Sequence, residues 1–125
     1  MGDDELAWLY ANCQAVVAPG YEDYGLVPIE AALFGKPTAA LGAGGFLDTV
    51  LDGDTGVLFQ GLDPASIAGA VARVLSLGAP SSRLVAHGRL YGEERFAQAL
   101  RSICEAASGP AEVPATTAAP EGGAA

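Results

Sequence analysis

The sequence predicts an α/β fold built on a parallel sheet. Three short apolar runs, at residues 15–18, 38–41 and 57–59, have the length of buried strands. Helical patterns of apolar residues alternate with these runs, and clusters of Gly, Pro and Asp separate the segments. Such an alternation favours parallel strands joined by right-handed crossovers. Ligands of these sheets bind beyond the carboxyl ends of the strands, so the turns after the strands are the candidate functional segments.

A helix is predicted before the first strand. Asp3 is its expected N-cap, and apolar side chains at helical spacing predict one buried face, formed by Leu6, Leu9, Tyr10 and Cys13. A second helix is expected over residues 28–34, because Pro28 suits the first helical position and Pro37 follows its end. An α/β domain that opens with a helix is typical of a longer chain that has been cut, so we expect a truncated domain.

The second half of the chain continues the alternation. The sequence predicts a short helix near residues 46–51, a turn at Asp52–Gly56, a helix capped by Asp63 and Pro64, a helix over 82–91 and a last helix from Glu93. Beyond Gly109, the Ala/Pro/Gly/Thr-rich segment Pro110–Ala125 has no periodicity. We expect a partial α/β domain at residues 1–108 and a disordered tail at 109–125.

Composition excludes several classes of partner. The net charge is −9, with six basic residues among 125. This balance argues against nucleic acid or an anionic membrane surface as the main partner. The acidic start is unlike a secretory signal, and no run approaches the ~18 apolar residues of a spanning helix. A cytoplasmic protein is therefore expected.

The two cysteines and the single histidine suggest no redox or metal chemistry. Cys13 and Cys104 lie far apart on apolar helical stripes, and we interpret them as reduced core thiols. His87 has no cysteine or carboxylate at ligand spacing, so we expect a surface residue of a helix rather than a metal ligand or general base.

The segment from Tyr21 to Glu30 is the strongest candidate for a ligand site, because it follows the first strand and leads into the second helix. Gly25 permits close approach of the backbone to a ligand. Val27 is a poor N-cap, which leaves the free N–H groups of the helix start available to phosphate. Glu22 and Glu30 flank this position with carboxylates that accept hydrogen bonds from hydroxyls. The combination suggests a sugar nucleotide.

Two other segments have a purely structural interpretation in addition to a functional one. Gly42-x-Gly44 lacks the third glycine of a dinucleotide fingerprint, because Leu47 stands there, so NAD or FAD is not expected. The pair Gly44–Gly45 by itself indicates a tight turn. The acid-rich Asp52–Gly56 stretch lacks the ligand spacing of an EF-hand and is interpreted as a plain turn rather than a calcium site.

With these residues in view, the chain resembles the retaining glycosyltransferases of family 4. Their Glu-x7-Glu motif is matched by Glu22 and Glu30, with Gly25, Leu26 and Pro28 between them. Gly44-Gly45-Phe46 and Asp52–Gly56 resemble the next two landmarks of the same domain. The resemblance covers roughly residues 3–105 and implies a partial Rossmann-like parallel sheet with C-terminal helices, from the C-terminal half of a GT-B enzyme.

The resemblance also implies roles for individual residues. Glu22 would contact the donor sugar as the catalytic residue, and Glu30 would accept hydrogen bonds from the ribose hydroxyls. The sugar and diphosphate oxygens would be received by the backbone amides of Gly25, Leu26 and Val27. Gly44 and Gly45 would bring backbone close to the donor sugar, and Asp48 would stand in for an acid that many relatives have shortly after this pair.

The implied reaction is transfer of a hexosyl group from a nucleoside diphosphate sugar to an acceptor, with retention of configuration. No metal and no cofactor is implied, because backbone amides and cationic side chains stabilise the leaving diphosphate. Relatives supply an Arg and a Lys for the diphosphate from upstream strands and bind the acceptor in an N-terminal domain, and neither is encoded here. The isolated chain is therefore expected to be inactive, with an absent N-terminal domain or self-association as its partner. Peripheral membrane association of a full-length enzyme stays open.

Two alternatives remain at this stage. One is a non-catalytic module, either a gene fragment or a small sugar-nucleotide-binding or partner-docking domain. The other is a domain like that of the hydrolysing sugar-nucleotide epimerases, which share the fold but are not expected to have a Gly-Leu-x-Pro turn inside the Glu-x7-Glu frame.

Overall fold

Three parallel strands form the sheet of the computed structural model, which describes residues 1–109. Strand β1 (Val16–Ala18) pairs with β2 (Thr38–Leu41), and β2 pairs with β3 (Gly56–Phe59). The register places Thr38 opposite both Val16 and Gly56. The predicted parallel α/β sheet is thus confirmed, and β2 occupies the centre.

Six helices surround or follow these strands in the described part of the chain. They are α1 (Asp3–Asn12), α2 (Leu26–Leu33), α3 (Phe46–Thr49), α4 (Pro64–Leu75), α5 (Ser81–Arg89) and α6 (Glu93–Ala107). Residues 1–93 form one compact unit, and a second unit begins at Glu94. The predicted tail, Pro110–Ala125, lies outside the described residues. No helix within residues 1–109 is long and apolar enough to cross a bilayer.

The central strand separates two apolar clusters, one on each face of the sheet. Ala39 faces a cluster completed by β3 and α4, with Val57, Phe59, Ala70 and Val74. Ala40 faces the other cluster, whose buried members are Ala18, Phe46 and Val50. Small side chains suit β2 because helices cover both of its faces. This burial explains why a strand forms from residues of low β propensity.

The predicted cap of α4 and the predicted turn before β3 are confirmed. Asp63 is the N-cap of α4, its Oδ1 accepts a hydrogen bond from the Ser66 amide at 2.9 Å, and Pro64 is the first helical residue. Hydrogen bonds from the Ser66 hydroxyl and amide lower the pKa of Asp63. In the turn, Asp52 Oδ1 accepts a hydrogen bond from the Leu58 amide at 2.9 Å, and Asp54 pairs with Arg83. These carboxylates therefore have structural partners.

Helix α1 differs from its prediction in two respects. Gly2, not Asp3, is the N-cap, and its amide donates to Glu5 Oε2 at 3.0 Å. Of the four residues predicted to form a buried face, only Tyr10 is buried, and Leu9 is 48% exposed. The reason lies in the sheet: β1 is an edge strand in the described chain, so nothing there covers the outer side of α1.

The histidine and cysteine interpretations also require correction. His87 is buried, 4% exposed, because α5 turns it toward α3 rather than toward solvent. Cys13 is half-buried and Cys104 is exposed on α6, so neither is a core thiol, although both are free. Helix α6 begins at Glu93 as predicted, but its apolar residues Phe96 and Ile103 are exposed.

Candidate functional site

The loops that leave β1 and β2 meet at one edge of the sheet. The Gly45 amide donates a hydrogen bond to the Glu22 carbonyl at 2.7 Å. A Cβ on Gly44 would clash with the Glu22 carbonyl, and a Cβ on Gly45 would clash with the backbone of Tyr24. The loops thus contact each other backbone to backbone, which only glycine permits here. Both loops therefore lie at the carboxyl ends of their strands, where the candidate functional segments were expected.

Gly25 connects this loop contact to helix α2. It is the N-cap of α2 and lies in the left-handed region at φ 82°. A Cβ at this position would lie 2.9 Å from Phe46 Cδ1 and 3.0 Å from Thr49 Oγ1. The close approach that Gly25 makes is therefore to α3, a structural reason for glycine in addition to the predicted one.

Helix α2 begins two residues earlier than predicted, at Leu26 instead of Pro28. Pro28 is the third helical residue and is buried, so the assignment of Pro28 to the first position was wrong. The free amides at this end are those of Gly25, Leu26 and Val27, for which no acceptor is found among residues 1–109. These are the amides that were predicted to receive the sugar and diphosphate oxygens, and they lie at the positive end of the helix dipole.

Because α2 begins earlier than predicted, Glu30 lies further along the helix than expected. It lies at the fifth helical position, beyond the first turn, so the helix dipole gives no structural reason for an acid there. Its Oε2 accepts a hydrogen bond from the Tyr10 hydroxyl at 2.7 Å. The Tyr10 ring stacks on Phe34 with a centroid distance of 5.4 Å. The pKa of Tyr10 is raised, mainly by burial and to a smaller extent by the Glu30 carboxylate to which its hydroxyl is hydrogen-bonded.

A recess between α1 and α2 is lined in part by this pair. Its volume is about 250 Å³, and it is lined by Asp3, Leu6, Ala7, Tyr10, Glu30, Leu33 and Phe34. We call it the α1–α2 recess. Sequence reasoning placed Tyr10 on an apolar stripe and missed its contact with Glu30. The two residues are 20 positions apart, and no local pattern signals that Tyr10 of α1 reaches Glu30 of α2.

Glu22 is exposed in the loop after β1. Within the described residues its carboxylate accepts no hydrogen bond and forms no ion pair, whereas its carbonyl holds Gly45. Asp48 is also exposed, and its carbonyl accepts a hydrogen bond from the Tyr91 hydroxyl at 2.7 Å. The roles predicted for these side chains toward a donor stay predictions.

His87 of α5 and Tyr91, which follows it, support the segment after β2 through hydrogen bonds. His87 Nε2 donates to the Thr49 carbonyl at 2.8 Å, and the His87 ring packs edge-on against Tyr91. Both residues therefore bind backbone carbonyls of α3, the element that contacts Gly25. Sequence reasoning missed this support, because the spacing of His87 gave no signal beyond a place on a helix. Within residues 1–109 no group of three His, Cys, Asp or Glu residues is arranged to hold a metal ion.

The molecule is an α/β protein whose loops meet at the carboxyl edge of a parallel sheet, and this edge is where ligands bind in proteins of this class. The chain belongs to the group 1 glycosyltransferases, since residues 1–91 match the family model described as Glycosyl transferases group 1. The predicted resemblance to this family is confirmed.

Curated relatives and solved structures agree with the family. The chain is 38% identical over 109 residues to a glycogen synthase of Thermus thermophilus, covering 86% of this chain and 25% of the relative. It is 38% identical over 116 residues to a D-inositol 3-phosphate glycosyltransferase of Streptomyces avermitilis, covering 86% and 24%. The chain thus spans about a quarter of the length of these relatives.

The sucrose-phosphate synthase of Thermosynechococcus elongatus superimposes with a TM-score of 0.70 at 28% identity, covering 85% of this chain and 29% of that one. HepE of Anabaena, solved in complex with UDP-glucose, gives 0.58 at 25% identity, covering 75% and 29%. The predicted Rossmann-like sheet of the GT-B type is confirmed by these similarities.

Proposed function

We propose that this chain supplies the donor-binding part of a glycosyltransferase that moves a hexosyl group from a nucleoside diphosphate sugar to an acceptor with retention. The observation that carries the proposal is the arrangement at the carboxyl edge. Among residues 1–109, the amides at the start of α2 have no protein acceptor, and the loop that contacts Gly44 and Gly45 places Glu22 beside that edge. Glu30 lies on the same helix, facing the α1–α2 recess.

The diphosphate is the group that fits the start of α2. The amides of Leu26 and Val27 belong to the first turn of an eight-residue helix, Gly25 is its N-cap, and this end of a helix favours negative charge. HepE, a structural neighbour, was solved with UDP and with UDP-glucose, which supports a nucleoside diphosphate sugar as the donor.

The two carboxylates have distinct roles in this proposal. Glu30 accepts hydrogen bonds from the ribose hydroxyls through the carboxylate that Tyr10 already contacts. Glu22 is exposed and unpaired in the described chain, which suits contact with the donor sugar. Gly44 and Gly45 leave room for the sugar along their backbone. No metal is required, because amides and cationic side chains stabilise the leaving diphosphate.

The two loops themselves supply no cationic side chain that could stabilise the leaving diphosphate. Residues 19–30 and 42–49 contain no Lys or Arg. This feature supports a second candidate, a sugar-nucleotide-binding module without turnover of its own. Both candidates share the donor site and differ in catalysis.

Titration of the 125-residue chain with UDP-glucose, followed by calorimetry and ligand-observed NMR, tests the donor site. ADP-glucose and GDP-mannose are titrated in parallel, because the residues do not specify the base. Glu30→Ala should weaken binding roughly 10- to 150-fold, the range for a lost hydrogen bond to a charged group. Glu22→Ala should weaken binding less, because its role is on the sugar.

Glu105→Ala on α6 is the matched control, because it removes the same carboxylate at an exposed position. It should bind like the parent. If Glu30→Ala and Glu105→Ala bind every donor equally well, the proposed donor site is wrong. Release of free sugar or an epimerised nucleotide would favour an epimerase-like chemistry instead.

A further inference from the structure

The Tyr10 hydroxyl has a partner that a purely structural residue does not need. Its ring is already fixed by burial and by stacking on Phe34 at an interplanar angle of 17°. Phenylalanine at this position would make the same stack. The hydroxyl instead reaches across from α1 and donates to Glu30 Oε2 at 2.7 Å.

Glu30 depends on this single bond for its orientation. In the described chain its carboxylate has no ion pair and no other hydrogen-bond donor. A half-buried carboxylate with one neutral donor retains most of its acceptor sites, since its two oxygens offer about four. A cation at this place would neutralise the carboxylate, whereas the Tyr10 hydroxyl binds Oε2 alone, and Glu30 lines the α1–α2 recess.

We propose that Tyr10 is the positioning residue for Glu30, holding Oε2 so that the carboxylate is pre-oriented for the vicinal hydroxyls of the donor's ribose. The inference rests on the proposed function, because it takes the ribose as the partner of Glu30. The neutral form of Tyr10 is the donor in this bond, and burial together with the carboxylate raises its pKa, so the bond persists at neutral pH. Pre-orientation saves the entropy of fixing a glutamate side chain on binding.

Tyr10→Phe tests this role, because it removes the hydroxyl and retains the ring. The probes are uridine diphosphate and its 2′,3′-dideoxy analogue, titrated into the 125-residue chain. In the parent, UDP should bind more tightly than the dideoxy analogue. Tyr10→Phe should weaken UDP binding about three- to tenfold and leave the affinity for the dideoxy analogue within twofold. In a Glu30→Ala background, Tyr10→Phe should add less than a twofold change.

Tyr91→Phe is the matched control, since it also removes a tyrosine hydroxyl that forms a 2.7 Å bond, here to the Asp48 carbonyl. It should leave the ratio of the two affinities unchanged. Equal weakening of both nucleotides by Tyr10→Phe would indicate a general structural role and overturn the inference. So would a Tyr10→Phe chain that binds UDP like the parent while Glu30→Ala does not. Failure of the parent chain to bind UDP would overturn the proposed function itself, and with it this inference.

Discussion

Gly25 is the residue at which the fold and the candidate site depend on each other, so its replacement is the most informative perturbation. Alanine at φ 82° adopts the left-handed conformation at a cost of about 1–2 kcal/mol. Its Cβ would also lie 2.9 Å from Phe46 Cδ1 and 3.0 Å from the Gly45 carbonyl carbon. Phe46 is 1% exposed and has no room to retreat, which adds about 1–3 kcal/mol of overpacking. Gly25→Ala should therefore reduce the free energy of unfolding by about 2–5 kcal/mol.

Gly53→Ala separates the two contributions. Gly53 has nearly the same backbone conformation, φ 80°, but a Cβ there would meet nothing within 4 Å. This control should lose only the conformational part, about 1–2 kcal/mol. Urea unfolding followed by far-UV circular dichroism is the suitable assay, because the only tryptophan, Trp8, is 64% exposed and reports poorly on the core. Equal losses in the two variants would refute the close contact between Gly25 and α3.

Three further predictions follow from the same structure. Gly69→Ala, inside α4 with nothing within 4 Å of the new Cβ, should raise stability by about 0.5–1 kcal/mol in the same assay, and a loss would mean that the helix is packed there. Above about pH 10 the unfolded chain ionises Tyr10 while the folded chain, with its raised pKa, retains the proton, so stability should fall by up to ~1.4 kcal/mol per pH unit. Urea midpoints at pH 9 and 11 should show a smaller fall in Tyr10→Phe, and equal falls would contradict the raised pKa of Tyr10 in the folded chain. The chain alone should not turn over UDP-glucose with a panel of sugar acceptors, and diphosphate release at enzymatic rates would show a complete site.

Most of the sheet could be predicted from the sequence because its signals are local. Strand β2 was predicted at residues 38–41 and is observed there, and Asp63 with Pro64 starts α4 as predicted. Each of these depends on a short apolar run or on a cap that neighbouring residues specify. The Glu-x7-Glu frame also lies within one strand–turn–helix unit, so its recognition needed no tertiary information.

The errors have a common physical origin in contacts between distant segments. His87 was expected on the surface, yet it binds the Thr49 carbonyl 38 positions away. Tyr10 was placed on an apolar stripe, yet its hydroxyl binds Glu30. An amphipathic pattern reports which face of a helix is apolar, but it does not report which polar atom at the edge of that face will find a partner.

The start of α2 shows how such a contact alters a local rule. Pro28 has the local signature of a first helical residue, and Val27 before it is a poor cap. The helix nevertheless begins at Leu26, because Gly25 takes a left-handed conformation against Phe46 and Thr49 of the next loop. That contact exists only because Gly45 allows the loops to touch, and the tertiary constraint outweighs the preference of proline for the first position. The two extra helical residues, Leu26 and Val27, are those whose amides are proposed to receive the diphosphate. The loop contact that overrides the local prediction therefore also sets the backbone of the proposed site.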